Sequence, residues 1–342
     1  MKIKELQGIL KKKKIGFGLF LLGDPNISYF SGFKDGICLI IPKDKPAKLF
    51  VHRMDYNRAK NSSKVRVVKL PKGTSLFKFI KKSFKSKKIG INKNNLSLNF
   101  YKELRKTWKS SFFDLSKICF DLRKIKTKKE IELYKKACRL TDKILQKTLK
   151  NLKKLKTETE IAAFLQYETK RAGHDLSFPS IVASGINAVN AHHVPTGRMK
   201  KGFCVIDFGI NYKGYCTDIT RTVYVGKPTE KDKEIYKKVL GVQQNIIKNT
   251  KIGVKTADLH KSAFKALGKP FLHGLGHGIG VEIHESPNLT DKSKEKLKEN
   301  MIFTIEPGHY KGKTGIRIED DVLLTKKGAV VLTKTKKSLI TY

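Results

Sequence analysis

Acidic residues stand inside apolar, strand-like sequence at two neighbouring places, and this pattern limits what the chain can fold into. Asp207 lies in Val205–Gly209, and Asp218 lies in Cys216–Thr222. Asn211–Gly214 between them has the composition of a turn. If the middle two residues of that turn are its centre, Asp207 lies directly opposite Asp218, with Cβ atoms about 4.5–5.5 Å apart. Two such carboxylates repel each other unless one is protonated or a cation binds between them, and the flanking Val, Ile and Phe residues favour a cation.

A second pair of acids repeats this arrangement. Glu306 follows the strand-like run Phe303–Ile305, and Glu319 lies in Gly315–Asp320. A turn within His309–Thr314, centred on its Gly-Lys pair, again places the two acids opposite each other. For either hairpin alone, an exposed acidic pair on a solvated edge is as good an explanation as a bound cation. It is a poor explanation for both hairpins, because the chain has 30 acidic residues among 342 and four of them would be paired by chance.

A glycine-rich segment near the second hairpin supplies histidines. His273–Gly280 places a glycine on each side of His277, and His284 follows in the next segment. Glycine lets the backbone approach a bound ligand closely. A lone histidine is more often structural, but three histidines in twelve residues favour a binding site. Four carboxylates with one imidazole suit Mn²⁺, Co²⁺, Fe²⁺ or Zn²⁺, whereas a set of oxygen ligands alone would favour Mg²⁺ or Ca²⁺.

The length of the chain and its local patterns predict two domains. A chain of 342 residues is longer than one hydrophobic core usually spans. Residues 1–120 alternate strand-like and helix-like segments, which predicts a small α/β domain. The predicted strands there are Ile15–Leu22, Gly36–Ile41 and Lys48–Val51, and the predicted helices are Met54–Lys60 and Ser75–Phe84.

Residues 121–342 are predicted to form the second domain, which begins with helices. Thr127 with Glu130, and Thr157 with Glu160, have the spacing of a capping box at a helix start. After residue 175 strands and glycine-rich turns dominate. The predicted strands are Phe178–Ser184, Cys204–Ile210, Tyr215–Tyr224, Phe303–Ile305 and Gly315–Leu324, with helices near Glu234–Lys248 and Thr256–Leu267. This mixture predicts an α+β fold with antiparallel hairpins and flanking helices rather than βαβ crossovers.

In this order the motifs resemble those of the pita-bread metallopeptidases, which include methionine aminopeptidase, Xaa-Pro aminopeptidase and prolidase. The segments that carry the resemblance are Asp207-Phe-Gly, Thr217-Asp218, His273-x-x-x-His277-Gly-x-Gly, Glu306-Pro-Gly and Arg317-Ile-Glu319-Asp. They cover residues 121–342. Asn26–Phe33 is similar, more weakly, to the creatinase-like N-terminal domain of the family. The resemblance therefore implies a pita-bread domain preceded by a smaller creatinase-like α/β domain.

The resemblance implies a pair of divalent metal ions. Asp207 would bind one ion, and His277 with Glu306 would bind the other. Asp218 and Glu319 would bridge the two. Mn²⁺ or Co²⁺ is the first expectation for the metal, with Zn²⁺ or Fe²⁺ as alternatives.

Other residues receive roles from the same resemblance. Glu306 would take a proton from the attacking water and pass it to the leaving nitrogen. His192 and His284 would donate hydrogen bonds to the developing oxyanion, and His193 takes the place of His192 if the register differs by one residue. The residues expected to contact the substrate are His193, His273 and Arg317.

These roles imply hydrolysis of the bond between an N-terminal residue and proline, as in an Xaa-Pro aminopeptidase or an Xaa-Pro dipeptidase. The N-terminal domain and the Arg317-x-Glu319-Asp pattern favour this branch over methionine aminopeptidase, which stays an alternative. A non-catalytic binding protein of the same fold is a second alternative, although such relatives usually lose metal ligands. The expected partners are a peptide with proline in second position and a second copy of the chain in a homodimer.

The charge of the chain raises the question of a polyanion partner. Lys and Arg number 73 against 30 Asp and Glu, which gives a formal net charge of +43. Most of the basic residues are Lys and they are spread over the whole length, whereas nucleic-acid readers concentrate charge on one face and use Arg. We therefore favour a lysine-rich solvated surface over nucleic-acid binding.

Cysteine spacing and hydropathy predict a cytoplasmic protein without a membrane segment. The five cysteines are scattered and form no C-x-x-C pair, which predicts buried thiols in a reducing compartment. Lys11–Lys14 followed by the apolar run Ile15–Gly23 resembles a signal peptide. It lacks a cleavage site, however, and is better explained as a first β-strand. No apolar segment approaches the length of about 18 residues that a membrane span needs.

Overall fold

The chain forms two compact units, Met1–Arg123 and Lys124–Tyr342. They are seen in a computed structural model that describes residues 2–342. The predicted domain boundary, after residue 120, falls inside the helix Ser116–Lys124, and the two units divide near the end of that helix. Among the described residues, no helix combines the length and the apolar character needed to cross a lipid bilayer.

The N-terminal unit is an α/β domain built on a mixed six-stranded sheet, with strand order β4-β3-β2-β1-β5-β6. Its strands are β1 (Phe17–Leu21), β2 (Cys38–Pro42), β3 (Lys48–Val51), β4 (Arg66–Lys69), β5 (Lys88–Ile91) and β6 (Ser111–Asp114). Its helices are α1 (Lys2–Lys12), α2 (Pro25–Ser31), α3 (Tyr56–Ser62), α4 (Leu76–Ser83), α5 (Leu98–Thr107) and α6 (Ser116–Lys124), with short 3-10 helices at Arg53–Asp55 and Lys93–Asn95. The predicted α/β domain is confirmed.

Strand β1 shows why the apolar run after Lys14 is a strand. All five of its residues are buried, because the sheet has a hydrophobic cluster on each face. Leu19 faces one cluster and Phe20 faces the other, as the twofold alternation of a strand requires. It pairs antiparallel with β2 and parallel with β5, so it lies in the interior of the sheet.

The C-terminal unit has antiparallel sheets with helices packed against them. The helices are α7 (Lys128–Asn151), α8 (Glu158–Arg171), α9 (Glu230–Asn249) and α10 (Thr256–Leu267), with 3-10 helices at Leu152–Lys154 and Gly185–Val189. The strands are β7 (Asp175–Leu176), β8 (Ile181–Ser184), β9 (Gly202–Phe208), β10 (Ile210–Tyr212), β11 (Tyr215–Cys216), β12 (Ile219–Val225), β13 (Gly276–Gly278), β14 (Glu285–Leu289), β15 (Ile302–Ile305), β16 (Gly308–Lys311), β17 (Thr314–Arg317), β18 (Asp320–Thr325) and β19 (Gly328–Val331). The main sheets have the orders β12-β9-β8 and β14-β13-β15-β18-β19. The predicted α+β fold with antiparallel hairpins is confirmed.

Both predicted capping boxes are present. The Thr127 side chain accepts from the Glu130 nitrogen at the start of α7, and Thr157 accepts from the Glu160 nitrogen at the start of α8. In each box the glutamate reaches back to the nitrogen of the capping residue, which satisfies two donors that the helix itself leaves free.

The register of the first hairpin differs from the prediction. Tyr212 pairs with Tyr215, so the turn is centred on Lys213 and Gly214, one residue later than expected. Asp207 therefore lies opposite Thr220, and Asp218 is offset from it by two residues. Lys213 and Gly214 have φ values of 51° and 87°. A tight two-residue hairpin turn needs positive φ at both centres, which Gly214 adopts readily. Because side chains alternate with a period of two, this offset keeps both acids on one face.

The register of the second hairpin agrees with the prediction. Lys311 pairs with Thr314, so the turn is centred on Gly312 and Lys313. The paired residues of β15 and β18 are likewise equidistant from that centre. Glu306 and Glu319 are therefore opposite each other. Neither belongs to the ladder, because the nitrogen of Glu306 donates to Leu275 and that of Glu319 donates to Thr220. The hairpin opens at this point, and the two acids lie in the opening.

Close packing of the first hairpin depends on Gly209. This glycine lies between β9 and β10, and a Cβ atom there would overlap the carbonyl oxygen of Thr217 and come within 3.2 Å of the Ser177 hydroxyl. Thr217 precedes the acid Asp218. The hairpin thus brings its two strands together at the residue next to one predicted metal ligand.

We expect Gly209→Ala to lower the free energy of unfolding by about 2–3 kcal/mol, because the hairpin must move to admit the methyl group. Urea unfolding of the metal-free protein, followed by circular dichroism, measures this. Gly241→Ala is the control. No atom lies within 4 Å of its added Cβ. Since alanine is favoured over glycine in a helix, this change in α9 should stabilise the protein by up to about 1 kcal/mol. Equal effects of the two substitutions would contradict the close approach at Gly209.

Candidate metal centre and active site

The two hairpins and the glycine-rich segment bring the predicted metal ligands together. Asp218, His277 and Glu319 offer ligand atoms that all lie within 4.8 Å of one another. The His277 Nε2 atom is 3.7 Å from Asp218 Oδ2 and 3.4 Å from Glu306 Oε1. Asp207 lies on β9. Its negative charge raises the pKa of Asp218, Glu306 and Glu319, so it belongs to the same cluster of acids. The five predicted ligands thus share one site.

Burial and mutual repulsion disfavour the charged forms of these acids. Burial raises the pKa of Asp218 well above its usual value, and the neighbouring charges of Glu319 and Asp207 raise it further. Burial also raises the pKa of Glu319, again with help from Glu306 and Asp207. The pKa of Glu306 is also raised, mainly by burial. A divalent cation would reverse this penalty, since it is the opposite charge that the cluster lacks.

The hydrogen bonds leave particular atoms open for a metal. Asp207 Oδ1 and Asp218 Oδ1 are buried and have no hydrogen-bond partner among the described residues. The second oxygen of Asp207 accepts from Arg317 Nη2 at 2.6 Å, and Glu319 Oε2 accepts from the Thr220 hydroxyl at 2.7 Å. Buried polar atoms are normally paired, so two such oxygens in one carboxylate cluster indicate a missing ligand.

His277 is oriented as a metal ligand would be. Its Nδ1 lies 3.2 Å from the carbonyl oxygen of Gly278, which can only accept a hydrogen bond. Nδ1 therefore carries the proton, and Nε2 presents its lone pair to the acids. The backbone nitrogen of His277 also donates to the Thr304 hydroxyl, which in turn donates to Glu306. The donor set and its orientation fit a divalent metal centre.

The other predicted histidines surround this centre. The His284 ring packs edge-on against His277 at 4.3 Å, and His273 Nδ1 is 3.9 Å from Glu306 Oε2. Burial lowers the pKa of His273 and of His284, and a positive charge on His192 would lower both further. His192 itself is exposed.

The neighbouring His193 has a different environment. Its Nε2 is 2.8 Å from Glu158 Oε2, a carboxylate that lies outside the predicted site. Of the two adjacent histidines, the structure ties His193 to α8 and leaves His192 exposed, next to the Ala191 carbonyl that Arg317 holds. The substrate contact predicted for His193 stays a prediction.

Arg317 is buried and closely held. Its exposed fraction is 3%, and its guanidinium donates to Asp207, to the Tyr310 hydroxyl at 2.8 Å and to the carbonyl oxygen of Ala191 at 3.2 Å. Tyr310 is also 3.0 Å from His273 Nε2. These contacts show that Arg317 orients Asp207 and holds the chain next to His192. Its predicted contact with substrate stays a prediction.

Sequence reasoning missed the supports behind the metal ligands. Arg221 is 2% exposed and donates to the carbonyl oxygens of Glu319 and Thr220 and to Asp320 Oδ1. Asp320 also accepts from Lys337 at 2.6 Å. Burial alone would raise the pKa of Asp320, but the charges of Arg221 and Lys337 outweigh it and lower the pKa. An arginine inside a buried strand requires such partners, and this signal was available in Thr220-Arg-Thr222.

Sequence reasoning also missed Glu158. This residue is fully buried at the start of α8. Its carboxylate accepts from Ser184, Asn187, His193 and Thr196. Burial would raise its pKa, but the hydrogen bonds from Ser184, Asn187 and His193 prevail and lower the pKa to about 2.

Family models match almost the whole chain. The model described as Metallopeptidase family M24 matches residues 132–326, and the model described as Creatinase/Prolidase N-terminal domain matches residues 2–125. The chain belongs to metallopeptidase family M24. It is therefore a peptidase whose family uses divalent metal ions, with the pita-bread fold in its C-terminal unit and the creatinase-like fold in its N-terminal unit.

Individual relatives agree with this M24 assignment. The chain is 37% identical over 334 residues to the Xaa-Pro dipeptidase of Pyrococcus furiosus, and the match covers 94% of each chain. The crystal structure of the prolidase from Pyrococcus horikoshii OT3 has a TM-score of 0.91 and 36% identity, with 99% of each chain covered. The X-Pro aminopeptidase from Thermotoga maritima MSB8 has a TM-score of 0.88 and 31% identity, covering 97% of this chain and 99% of that one.

We expect Asp218→Asn to stabilise the metal-free protein by about 1 kcal/mol and to weaken its stabilisation by metal, because it removes the cost of burying an ionisable group beside other acids and removes one predicted carboxylate ligand. Calorimetric melting in chelator and in excess Mn²⁺ measures both effects. Asp291→Asn, at an exposed acid, is the control and should change neither. The assignment of Asp218 is wrong if the metal-induced shift in Tm is the same in the Asp218 variant as in the wild type.

We expect Glu158 to stabilise the fold in a pH-dependent way. A pKa that folding lowers from 4.5 to about 2 contributes stability above pH 4.5 and loses it as the pH falls through 2. Relative to Glu158→Gln, the wild type should therefore gain about 3 kcal/mol of unfolding free energy between pH 2 and pH 4.5, and little more above that range. Urea unfolding of both proteins across this range tests it. A constant difference at all pH values would contradict the shift.

Proposed function

We propose that this chain is a dinuclear-metal exopeptidase that hydrolyses the bond between an N-terminal residue and proline. The observation that carries the proposal is the buried cluster of Asp218, His277 and Glu319, with open oxygens on Asp207 and Asp218. The chain is 37% identical to an Xaa-Pro dipeptidase over almost its whole length, which supports the substrate class.

The residues present would hold two ions in the manner that the motifs imply. Asp207 would bind one ion through Oδ1, since Arg317 occupies its other oxygen. His277 and Glu306 would bind the second ion, and Asp218 and Glu319 would bridge the pair. Bound divalent ions lower the pKa of a water ligand, so that hydroxide is available near neutral pH. One imidazole among carboxylates favours Mn²⁺ or Co²⁺ over Mg²⁺.

Glu306 is suited to transfer a proton. Burial raises its pKa, so the carboxyl group takes up a proton more readily than an exposed glutamate does. The Thr304 hydroxyl donates to its Oε1 at 3.2 Å, and His273 lies 3.9 Å from Oε2. We propose that Glu306 accepts the proton of the attacking water and delivers it to the leaving proline nitrogen.

His192 and His284 would stabilise the charge that develops on the substrate carbonyl oxygen. Partial desolvation lowers the pKa of His284 and favours its neutral form, and a neutral imidazole still donates one hydrogen bond. Both side chains are exposed, so a substrate can reach them. Donors already in place where charge develops stabilise the transition state more than the ground state.

The fold alone does not separate a dipeptidase from an aminopeptidase, because solved structures of both kinds share it at similar TM-scores. Assembly as a homodimer, a cytoplasmic location and the disfavoured nucleic-acid partner stay predictions of the sequence. None of them is needed for the proposed reaction.

The proposal is tested by hydrolysis of Ala-Pro and Ala-Pro-Ala after chelation and reloading with Mn²⁺, Co²⁺ or Zn²⁺. We expect metal-dependent cleavage of at least one of them, with loss of activity of about 100-fold or more in Glu319→Ala because a bridging ligand is removed. Cleavage of the dipeptide alone would indicate a dipeptidase, and cleavage of the tripeptide would indicate an aminopeptidase. If neither peptide is cleaved with any metal, the proposed substrate class is wrong. Methionyl peptides would then be the next substrates to measure.

A further inference from the structure

The loop that carries His192 lies outside the strands, although its first residues pack against Gly315 of β17. This segment, the His192 loop, comprises residues 185–201 and joins β8 to β9. It contains the 3-10 helix Gly185–Val189 and a turn in which the His193 nitrogen donates to Asn190 at 3.0 Å. His192 is the third residue of that turn. A side chain on such a loop can be held precisely only if the loop is tethered at several points.

The main-chain nitrogens of Glu158 and Thr159 donate to the carbonyl oxygens of Gly197 and Thr196, and the Glu158 carboxylate adds six side-chain tethers. Glu158 Oε1 accepts from the Ser184 nitrogen and hydroxyl, at 2.7 Å each, and from Asn187 Nδ2 at 3.0 Å. Glu158 Oε2 accepts from His193 Nε2 at 2.8 Å and from the Thr196 nitrogen and hydroxyl at 3.0 Å each. The contacts reach the strand end that begins the His192 loop, its 3-10 helix, its turn and the residues after the turn.

A carboxylate is the side chain that these donors require. An ionised carboxylate offers about four lone-pair sites and no donor, whereas an amide would place an NH₂ group against N–H and O–H donors. Hydrogen bonds to a charged acceptor are also stronger than neutral ones. The first turn of α8 favours a negative charge at this position. Six donors around a fully buried glutamate exceed what capping of α8 needs, since Thr157 and Glu160 already form its capping box.

The tether acts next to a predicted catalytic side chain. His193 points its ring at Glu158, while the adjacent His192 is exposed, and Arg317 connects the main chain before His192 to the predicted ligand Asp207. On the other side of His192, the carbonyl oxygen of Ala191 accepts from the buried Arg317. The two residues that flank His192 are thus each held by a buried charged group.

We propose that Glu158 is a positioning residue that sets the place of His192 in the active site, with His193 as the link between them. The proposal rests on the proposed function in one respect, which is the role of His192 in stabilising the reacting carbonyl. Glu158 itself does not touch the substrate. It acts by fixing the His192 loop.

A double-mutant cycle on the metal-loaded enzyme tests the link, with Glu158→Gln, His192→Ala and the double variant assayed on Ala-Pro. We expect Glu158→Gln to lower kcat about 10-fold or more with KM changed less than about 3-fold, because small displacements of a catalytic group mainly cost rate. In the His192→Ala background the same substitution should change kcat less than about 2-fold. Equal effects in both backgrounds would overturn the proposal.

Glu160→Gln is the matched control. It removes the same charge from the same turn of α8, but its carboxylate accepts from the nitrogens of Lys156 and Thr157 rather than from the His192 loop. The kcat of the Glu160→Gln variant should stay within about 2-fold of the wild-type value. A fall equal to that of Glu158→Gln would mean that loss of charge at the helix start is the cause, and would overturn the proposal.

Hydrogen exchange provides a readout that does not depend on the substrate. In the full-length metal-free protein, amides of residues 185–197 should exchange about 10-fold faster in Glu158→Gln than in the wild type, and not in Glu160→Gln. If the wild type cleaves no Xaa-Pro peptide but this difference is present, the proposed function fails and the tether stands. Unchanged exchange in the Glu158 variant overturns the tether whatever the activity.

Thr196→Val covers the case in which Glu158→Gln does not fold. It removes one hydroxyl donor to Glu158 and keeps the Thr196 nitrogen that donates to the same oxygen. We expect a fall in kcat of about 3-fold with faster exchange in the His192 loop, and no effect on kcat when His192 is already alanine. A fall in kcat that persists in the His192→Ala background would overturn the proposal.

Discussion

Repulsion among buried carboxylates is the constraint on which the structure of the C-terminal unit depends. Asp207, Asp218 and Glu319 are each less than 10% exposed, and each acts electrostatically on the others or on Glu306. Burying one unpaired carboxylate is costly, and burying several beside one another costs more. The arrangement is reasonable only for a site that binds cations, and a chain of metallopeptidase family M24 has that requirement.

The residues behind the predicted metal ligands supply charges of alternating sign. Arg317 binds Asp207 directly. Arg221 does not contact the predicted ligand carboxylates. It donates to the main-chain carbonyl oxygens of Glu319 and Thr220 and pairs with Asp320. Because Arg221 pairs with the carboxylate of Asp320 and only with the carbonyl oxygen of Glu319, it fixes the backbone at Glu319 without neutralising the Glu319 carboxylate. Open oxygens remain on Asp207 and Asp218, and the adjacent buried Asp321, which accepts from the Asp218 nitrogen, also keeps one open oxygen.

Buried charged side chains also hold the His192 loop. Glu158 and Arg317 are both buried and both use their charge to hold main-chain or side-chain groups next to His192. This loop lies outside the strands, and charged groups from α8 and β17 add hydrogen bonds to those that its main chain makes with the start of α8. The metal ligands and the neighbouring loop are thus organised by one kind of interaction.

Local sequence alone determined several features. The capping boxes at Thr127 and Thr157, and the turn at Gly312, involve residues within four positions of each other, so their chemistry can be read directly. The acids predicted as metal ligands stood out because they lie in or beside apolar strands, and the resemblance to the pita-bread metallopeptidases supplied the order Asp, Asp, His, Glu, Glu. The first hairpin was misjudged because the positive φ needed at two turn residues fits Lys213-Gly214 better than Tyr212-Lys213.

Only the tertiary structure decided which partner each buried side chain has. His193 meets Glu158 across 35 residues of chain, and Arg317 meets Asp207 across 110. No local pattern specifies such pairs, because they depend on how separate strands and helices pack. For the same reason the sequence left His192 and His193 interchangeable. The fold separates them, since the buried carboxylate of Glu158 lies on the side that His193 faces.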